Sequence, residues 1–381
     1  MIRQHTYKIN YGILSLYIMG LFSMFAITFT LILFANSATI IPVMSPAEAH
    51  NEEECRVSCS FAGDFLINSL IYKAAKTGAN IYDFTPFISE MDGVINADIA
   101  VCNIDGTIDA NGDNSGISPY PRFNAPREIL DTIRQLGFNI ITTANNHAFD
   151  KGWQGLVKTR ENIISAGMEP LGTFTSSEEF EESYIKEVNG IKVGMFAATA
   201  LDNYLGVIIG DKVNFAMQQF GQNSFDYPYA LCERVDKLKE AGAEAVIVFL
   251  HWGKEYQDAP TEHQREIAKH LAESGVDVIV GGHSHCVQPI EWIDGTLVIY
   301  SLGNFFADQS LLKRPKTQYG MIVNLDIVKK NNEVKIENAE YVPTHFRKVN
   351  GVYRLLVATD SAAISHVENV VGDNIQMNLR R

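Results

Sequence analysis

Gly281-Gly282-His283-Ser284-His285 decides how this chain is read. It follows the apolar run Val276-Asp277-Val278-Ile279-Val280 and precedes a hairpin-like stretch from Ile290 to Tyr300. Two histidines two residues apart, just past a buried strand, turn toward one point in a loop where glycines let the backbone come close. Neutral imidazole is the commonest metal ligand in proteins. Alone, a His-x-His pair is weak evidence, because most such pairs are surface or satisfied core histidines. Its meaning comes from the spacing of everything else.

Outward from that loop, strands alternate with helices from Arg56 onward, the pattern of a layered α/β domain. A strand over 56–63 ends in Gly63-Asp64, and one over 96–102 ends in Asn103-Ile104-Asp105-Gly106. Pro126 opens a helix with Ile129, Leu130, Ile133 and Leu136 on one face, closed by Gly137. A strand over 138–144 runs into Asn145-Asn146-His147, and a helix from Trp153, carrying Leu156, Arg160, Ile163 and Ile164, ends at Gly167. Asn189-Gly190 is a hairpin signal between 184–188 and 191–198.

A helix near Leu231, Val235 and Leu238 leads to a strand over 244–250 that ends in His251-Trp252-Gly253. Thr261-x-x-Gln264 is a capping box opening a helix with Ile267 and Leu271. Asp294-Gly295 marks a further hairpin, and long strands over 319–328 and 333–342 flank a Lys-Lys-Asn-Asn turn. The stretch 201–227 has no clear period and reads as a substrate loop or an insertion.

Five strands thus end in a potential ligand: Asp64, Asp105, Asn146-His147, His251 and His283-x-His285. In open α/β sheets the loops beyond the carboxyl ends of strands form the functional rim. Mixed carboxylate, amide and imidazole ligands suit Mn²⁺, Fe²⁺ or Zn²⁺. Each residue also has a plain structural reading. Asp64 and Asp105-Gly106 serve equally as caps or turns, His251 as a packed core histidine, and Asn304 as a partner for loop backbone.

At these residues the chain resembles the CapA family of capsule-synthesis proteins, tied to poly-γ-glutamate biosynthesis and to the calcineurin-like metallophosphoesterase superfamily. The resemblance runs through Gly-Asp, Asn-x-Asp-Gly, Asn-Asn-His, His-Trp-Gly-x-Glu-Tyr, Gly-x-His-x-His and Tyr-Ser-Leu-Gly-Asn-Phe, over roughly residues 56–345. Phe123-Asn124-Ala125-Pro126 and residues 144–152 carry it most specifically. It implies a four-layer α-β-β-α sandwich of the metallophosphoesterase type holding one or two divalent ions. Asp64 would bind one ion, Asp105 would bridge, and Asn146, His251 and His283 would bind the second. His285 would return to the first, and His147 would steady or protonate the leaving group. Asn304 and Glu255 would neighbour them in the cleft.

Two departures matter. The wider superfamily's first motif is Asp-x-His, but Asp64-Phe65-Leu66 lacks the histidine. Its second is Gly-Asp-x-x-Asp, where this chain offers Asn103-Ile104-Asp105. The first ion's site is therefore short of one ligand; Asn103, expected with Asn304 and Glu255 beside the ligands in the cleft, is the first suspect should two ions bind equally tightly.

The chain carries 45 acidic and 31 basic residues, a net charge of −14. That argues against a nucleic-acid scaffold, which needs a basic footprint. No charged residue lies between Ile9 and Ala47, and Gly12 to Phe34 is almost continuously apolar, longer than the roughly 20 residues that cross a bilayer. Arg3 and Lys8 precede it and Glu48, Glu52, Glu53 and Glu54 follow, so positive-inside logic exports the rest. The expected organisation is a transmembrane anchor in 1–34, a linker in 35–54 and one domain in 55–381. A signal peptide cleaved near Ala47-Glu48-Ala49, leaving a secreted or periplasmic protein, is the alternative. Five cysteines give no disulfide framework: Cys55 and Cys59 share strand parity but sit too far apart to bond, and Cys286 reads as a small buried filler.

Two functions follow. One is a membrane-anchored, metal-dependent hydrolase acting on an anionic polymer or a phosphoester. The other is a non-catalytic component of a capsule-polymer synthesis or export complex, partnered by other capsule-synthesis membrane proteins. The topology is testable at once. A periplasm-type reporter fused after Arg381 is expected to be active and a cytoplasm-only reporter silent; release of the mature chain by carbonate extraction would reject the anchor.

Overall fold

The computed structural model describes residues 54–91, 93–200, 216–219 and 227–379. The apolar N-terminal segment, the linker and most of the stretch 201–227 lie outside the described residues. Among those described, no helix is long and apolar enough to cross a membrane.

Two large sheets carry the fold. In the first, the strand order is Val352–Val357, Glu333–Val349, Tyr319–Lys330, Cys55–Leu66, Ile99–Ile104, Ile140–Thr142, Glu169–Leu171. Cys55–Leu66 runs parallel to Ile99–Ile104 and antiparallel to Tyr319–Lys330, while Asn304–Ala307 adds in parallel beside its carboxyl end. In the second sheet, Ile191–Thr199, Ala245–His251, Val278–Gly282 and Thr296–Ile299 are mutually parallel, and Ile290–Ile293 closes the edge antiparallel.

The period of two along each strand sorts side chains between layers. Val57, Phe61 and Val101 from the first sheet share one core with Met195, Ile247 and Val280 from the second. The alternate residues Ala100 and Cys102 face outward, joined by Phe65 past the irregularity before it, and pack on Ile71 and Ile133 of helices Ser69–Ala75 and Ile129–Gln135. Val246, Val248 and Ile279 pack on Leu231, Val235, Ile267 and Leu271 of helices Tyr227–Glu240 and Glu262–Glu273. Strands buried on both faces explain their near-continuous apolar runs. The mixed α/β architecture expected from the sequence is present.

Local chemistry fixes several joints. Thr261 accepts from Gln264 N–H, and the Gln264 side chain accepts from Thr261 N–H, completing the capping box. Asn189 and Gly190 both take positive φ, as do Asp294 and Gly295, the two-residue hairpin geometry their sequences signalled. All five cysteines are free thiols.

Some boundaries differ from expectation. The second strand is Ile99–Ile104 rather than 96–102, because Asn103 pairs with Asp64 and extends the ladder. The strand expected over 138–144 is only Ile140–Thr142, and the helix expected from Pro126 begins at Ile129. Ile164 is 58% exposed, so the apolar face of helix Gly152–Ser165 excludes it. Strand Val352–Val357 and helix Ser361–Val371 had no counterpart in the reading.

Gly281 has a structural duty at the end of its strand: a Cβ there would lie 2.0 Å from Tyr300 O and 2.5 Å from Trp252 Nε1. Those two atoms are themselves hydrogen-bonded at 2.9 Å. Gly281→Ala is therefore expected to destabilise the domain by about 1–3 kcal/mol or more, read as a lower denaturation midpoint at unchanged m-value.

Candidate metal centre

The carboxyl ends of parallel strands from both sheets supply the site. Register places Asp64 opposite Asn103 on one side and Asn304 on the other. The strand end carrying Asp64 is irregular, with pairing shifted at Asp64/Phe65, and Asp64 N–H donates to Gly303 O at 3.1 Å. Gly63 permits that approach, since a Cβ would fall 1.8 Å from Gly303 O. Asp105 N–H donates to Phe65 O, which ties the second carboxylate to the first strand.

Asp64, Asp105 and His285 are all buried, and each offers a ligand atom within 4.8 Å of the others. Asp64 Oδ2 and Asp105 Oδ1 are buried without a hydrogen-bond partner. His285 Nδ1 stands 3.4 Å from Asp64 Oδ2 but 3.0 Å from Asn304 Oδ1. We take the shorter contact as the hydrogen bond, because Asn304 is oriented for it. Asn304 Nδ2 donates to Gln309 Oε1 and Thr317 O, which turns its Oδ1 toward His285. Nδ1–H of His285 then donates to Asn304 and leaves Nε2, 4.0 Å from Asp105 Oδ2, as the ligand atom.

Burial alone would strip His285 of its proton, yet its close contact with Asp64 and the charges of Asp64 and Asp105 raise it above the usual imidazole range. Burial, reinforced by Asp64, raises the Asp105 carboxyl above its ordinary range, while His147 and His285 pull the other way. Two buried carboxylates with orphaned oxygens call for a cation, and an ion would replace the imidazolium proton. The donor set fits a divalent metal.

A second set lies with the other sheet's strand ends. His251 Nε2 is 2.7 Å from Asn146 Oδ1 and 3.1 Å from His283 Nδ1. Burial, followed by the neighbouring imidazoles, drives His251 far below its usual pKa and His283 down to about 3. Both rings are neutral and keep lone pairs for a ligand role. His283 and His285 adopt φ of 88° and 55°, the left-handed region that side chains with a Cβ seldom occupy. Such strain concentrates at functional sites. It aims alternate residues of one loop at two different ligand sets.

His147 stands beside the carboxylates. Its Nδ1 lies 2.8 Å from Asp150 Oδ2, which also accepts from Phe123 N–H at 2.6 Å. The Phe123 ring packs edge-on against the imidazole at 4.7 Å. Burial opposes the charged imidazole, but the Asp150 hydrogen bond and the charges of Asp105 and Asp150 prevail and raise its pKa. Asp150 holds the proton on Nδ1, so when the ring is charged its transferable proton is the one on Nε2. Asp150 lies within the stretch 144–152 but has no role from sequence alone; its place three residues after His147 is the available signal.

Asn103, expected in the cleft, lies against the first carboxylate. Its Nδ2 donates to Asp64 Oδ1 at 2.8 Å, and its Oδ1 accepts from Thr142 Oγ1 at 3.1 Å. It orients Asp64 rather than presenting a lone pair. Leu66 is 3% exposed and packs with Phe123 and Ala307. Glu255 is exposed at the cleft, next to Tyr256, whose N–H donates to Ser284 O. Cys286 is buried, its thiol pushed up to about 12 by burial, and it stays a neutral filler.

An α/β domain with buried carboxylates, imidazoles and amides gathered at the carboxyl ends of its strands defines a candidate divalent-metal protein. The family model of the bacterial capsule synthesis protein PGA_cap matches residues 58–309, and the chain belongs to that family. It is 26% identical over 264 residues to the PGA biosynthesis protein CapA of Bacillus subtilis, covering 66% of this chain and 64% of that one. Against the capsule biosynthesis protein CapA of Bacillus anthracis the figure is 29% over 248 residues, 62% of this chain and 58% of the relative. A probable polyglutamine synthesis accessory protein of Mycobacterium tuberculosis is 23% identical over 219 residues, covering 55% and 56%. The chain thus spans less than two thirds of the length of these relatives.

His283→Ala and His285→Ala are each expected to lower bound metal, measured by elemental analysis after equilibration with Mn²⁺ or Zn²⁺. The Ser284 hydroxyl donates to Cys286 O and lies within hydrogen-bond distance of the Ser301 hydroxyl, so Ser284→Ala should cost about 1 kcal/mol of stability and no metal. Equal metal content in all three variants would refute the assignment.

Proposed function

We propose that this protein is a membrane-anchored, extracytoplasmic hydrolase of capsule or poly-γ-glutamate biosynthesis that uses one or two divalent ions. The observation that carries this reading is the buried Asp64–Asp105–His285 cluster, with its two orphaned carboxylate oxygens, beside a His147–Asp150 pair. The sheet and helix layers support a four-layer sandwich of the metallophosphoesterase type. The sequence supports an anchor in 1–34, a linker in 35–54 and a domain in 55–381. The substrate would be an anionic polymer or a phosphoester, and the partners other capsule-synthesis membrane proteins.

Asp64, Asp105 and His285 would hold one ion, and Asn146, His251 and His283 a second. Bound there, divalent ions would polarise the scissile group and lower the pKa of water. The chain's own residues do the rest. Asn103 holds one face of Asp64, Asn304 sets the His285 tautomer, and His147 Nε2 delivers a proton to the departing oxygen while Asp150 holds its ring. His251 and His283, kept neutral by burial, do not compete for that proton.

Leu66 favours a second reading, a non-catalytic component that retains the fold for binding. It offers no ligand where the wider superfamily has histidine, and it packs against Phe123 and Ala307.

The test is metal titration of the full chain with a panel of phosphoester and γ-glutamyl peptide substrates. One tight ion and one weaker ion are expected, with hydrolysis tracking the weaker. Asp150→Asn should lower kcat about 10²-fold or more with metal content unchanged. No turnover of any substrate in the doubly loaded protein would leave the non-catalytic reading.

A further inference from the structure

Two cavities reach the cluster and share Glu255 and Tyr256 as a common wall. One, of about 510 Å³, touches His147 and His285; the other, of about 650 Å³, touches His283. Their chemistry differs. Leu66, Tyr120, Leu311 and Leu312 line the first beside the polar Asn68 and Gln309, while the second is set apart by the cationic Lys254 and Arg314, with His263.

The first, apolar cavity gathers exposed hydrophobic side chains. Nine large hydrophobic residues are exposed among the described residues, and three of them, Tyr120 at 73%, Leu311 at 75% and Leu312 at 51%, line this one space. Scattered exposed hydrophobics are ordinary, but a cluster at a cleft marks a binding surface. Its floor is Leu66 against Phe123 and Ala307. Two acidic residues border it: Asp308, engaged by Ser310 N–H and the Tyr353 hydroxyl, and Glu255 in the shared wall, exposed to solvent. In the polar cavity, the Arg314 guanidinium stacks 4.1 Å over the Tyr256 ring, which holds a permanent positive charge at the shared wall.

Resting on the hydrolase reading, we propose that the substrate is an amphiphile, a phosphoester of a long-chain alcohol. The alcohol lies in the Leu66–Tyr120–Leu312 cavity, and the phosphoryl group points toward Lys254 and Arg314. The orientation follows from His147. The residue placed to protonate the leaving oxygen lines the apolar cavity and not the polar one, so the group that departs is the apolar one. In the step, a water oxygen bonds to phosphorus and the bond from phosphorus to the alcohol oxygen breaks. The imidazolium proton on His147 Nε2 passes to that oxygen, and a proton released from the water restores the imidazolium. Phosphate, or a phosphomonoester where a second ester is present, remains on the cationic side. Leu66 then has a positive function: an apolar side chain suits the alcohol-facing wall, where a histidine would not.

The test uses the full chain in lipid nanodiscs, metal-loaded, with empty nanodiscs as the blank. Octylphosphonate and methylphosphonate, neither of which is hydrolysed, serve as probes in calorimetric titration. Each buried methylene strengthens binding by roughly fourfold, so octylphosphonate is expected to bind at least tenfold tighter. Leu311→Asp with Leu312→Asp, both exposed and tolerant of charge, should abolish that preference while methylphosphonate binds as before. Equal affinity for the two probes, or a preference that survives the double substitution, would overturn the proposal. Turnover of octyl and methyl phosphate esters separates the two readings. Chain-length preference in binding without turnover upholds the amphiphile site and removes the hydrolase. Turnover without chain-length preference keeps the hydrolase and removes the amphiphile. A γ-linked glutamate oligomer that outcompetes octylphosphonate would also overturn it.

Discussion

Two carboxylates buried side by side are the constraint on which the site depends. Asp64 is 0% and Asp105 3% exposed, and each leaves one oxygen without a hydrogen-bond partner. Ions out of water cost several kcal/mol each unless they are paired and hydrogen-bonded. The protein meets half of that cost itself. Asn103 donates to Asp64, and the imidazolium of His285 stands between the two carboxylates. A divalent ion would supply the other half, so the fold carries an electrostatic deficit at the point where a metal is expected.

The backbone around the deficit is arranged by close approaches that only particular residues allow. Strand Cys55–Leu66 is flanked by parallel partners whose register puts Asn103 and Asn304 either side of Asp64. Those amides divide the work: one steadies the carboxylate, and the other sets which nitrogen of His285 is free. The loop after Val278–Gly282 takes two histidines through positive φ, which sends His283 to Asn146 and His251 and His285 to the carboxylates. Opposite charge states follow. His285 keeps its proton because carboxylates surround it, while His251 and His283 lose theirs because burial and other imidazoles do.

Much of this was legible in the chain itself. A run of apolar residues ending in Gly-Gly-His-Ser-His places two potential ligands after a buried strand, and that strand was found. Thr261 and Gln264 fixed a helix start, and Asn189-Gly190 and Asp294-Gly295 fixed two turns, since each is a local backbone preference. Boundaries fared worse where tertiary pairing overrode them. Asn103 reads as a loop residue but joins a strand because Asp64 lies opposite. Ile164 fits a helical apolar stripe but faces solvent.

What the sequence determined by itself was the residue types at the strand ends, the α/β alternation and the membership of the capsule-synthesis family. Those are carried by local periodicity and by motifs, which need no knowledge of distant neighbours. What only the tertiary structure decided was which of those residues meet. Asp150 acquires a role because Phe123 N–H and His147 converge on one of its oxygens. Asn103 becomes a donor to Asp64, and Leu66 becomes the floor of an apolar cavity. These depend on contacts between residues far apart in sequence, whose geometry is set by strand register and close packing, and no single stretch of the chain encodes it.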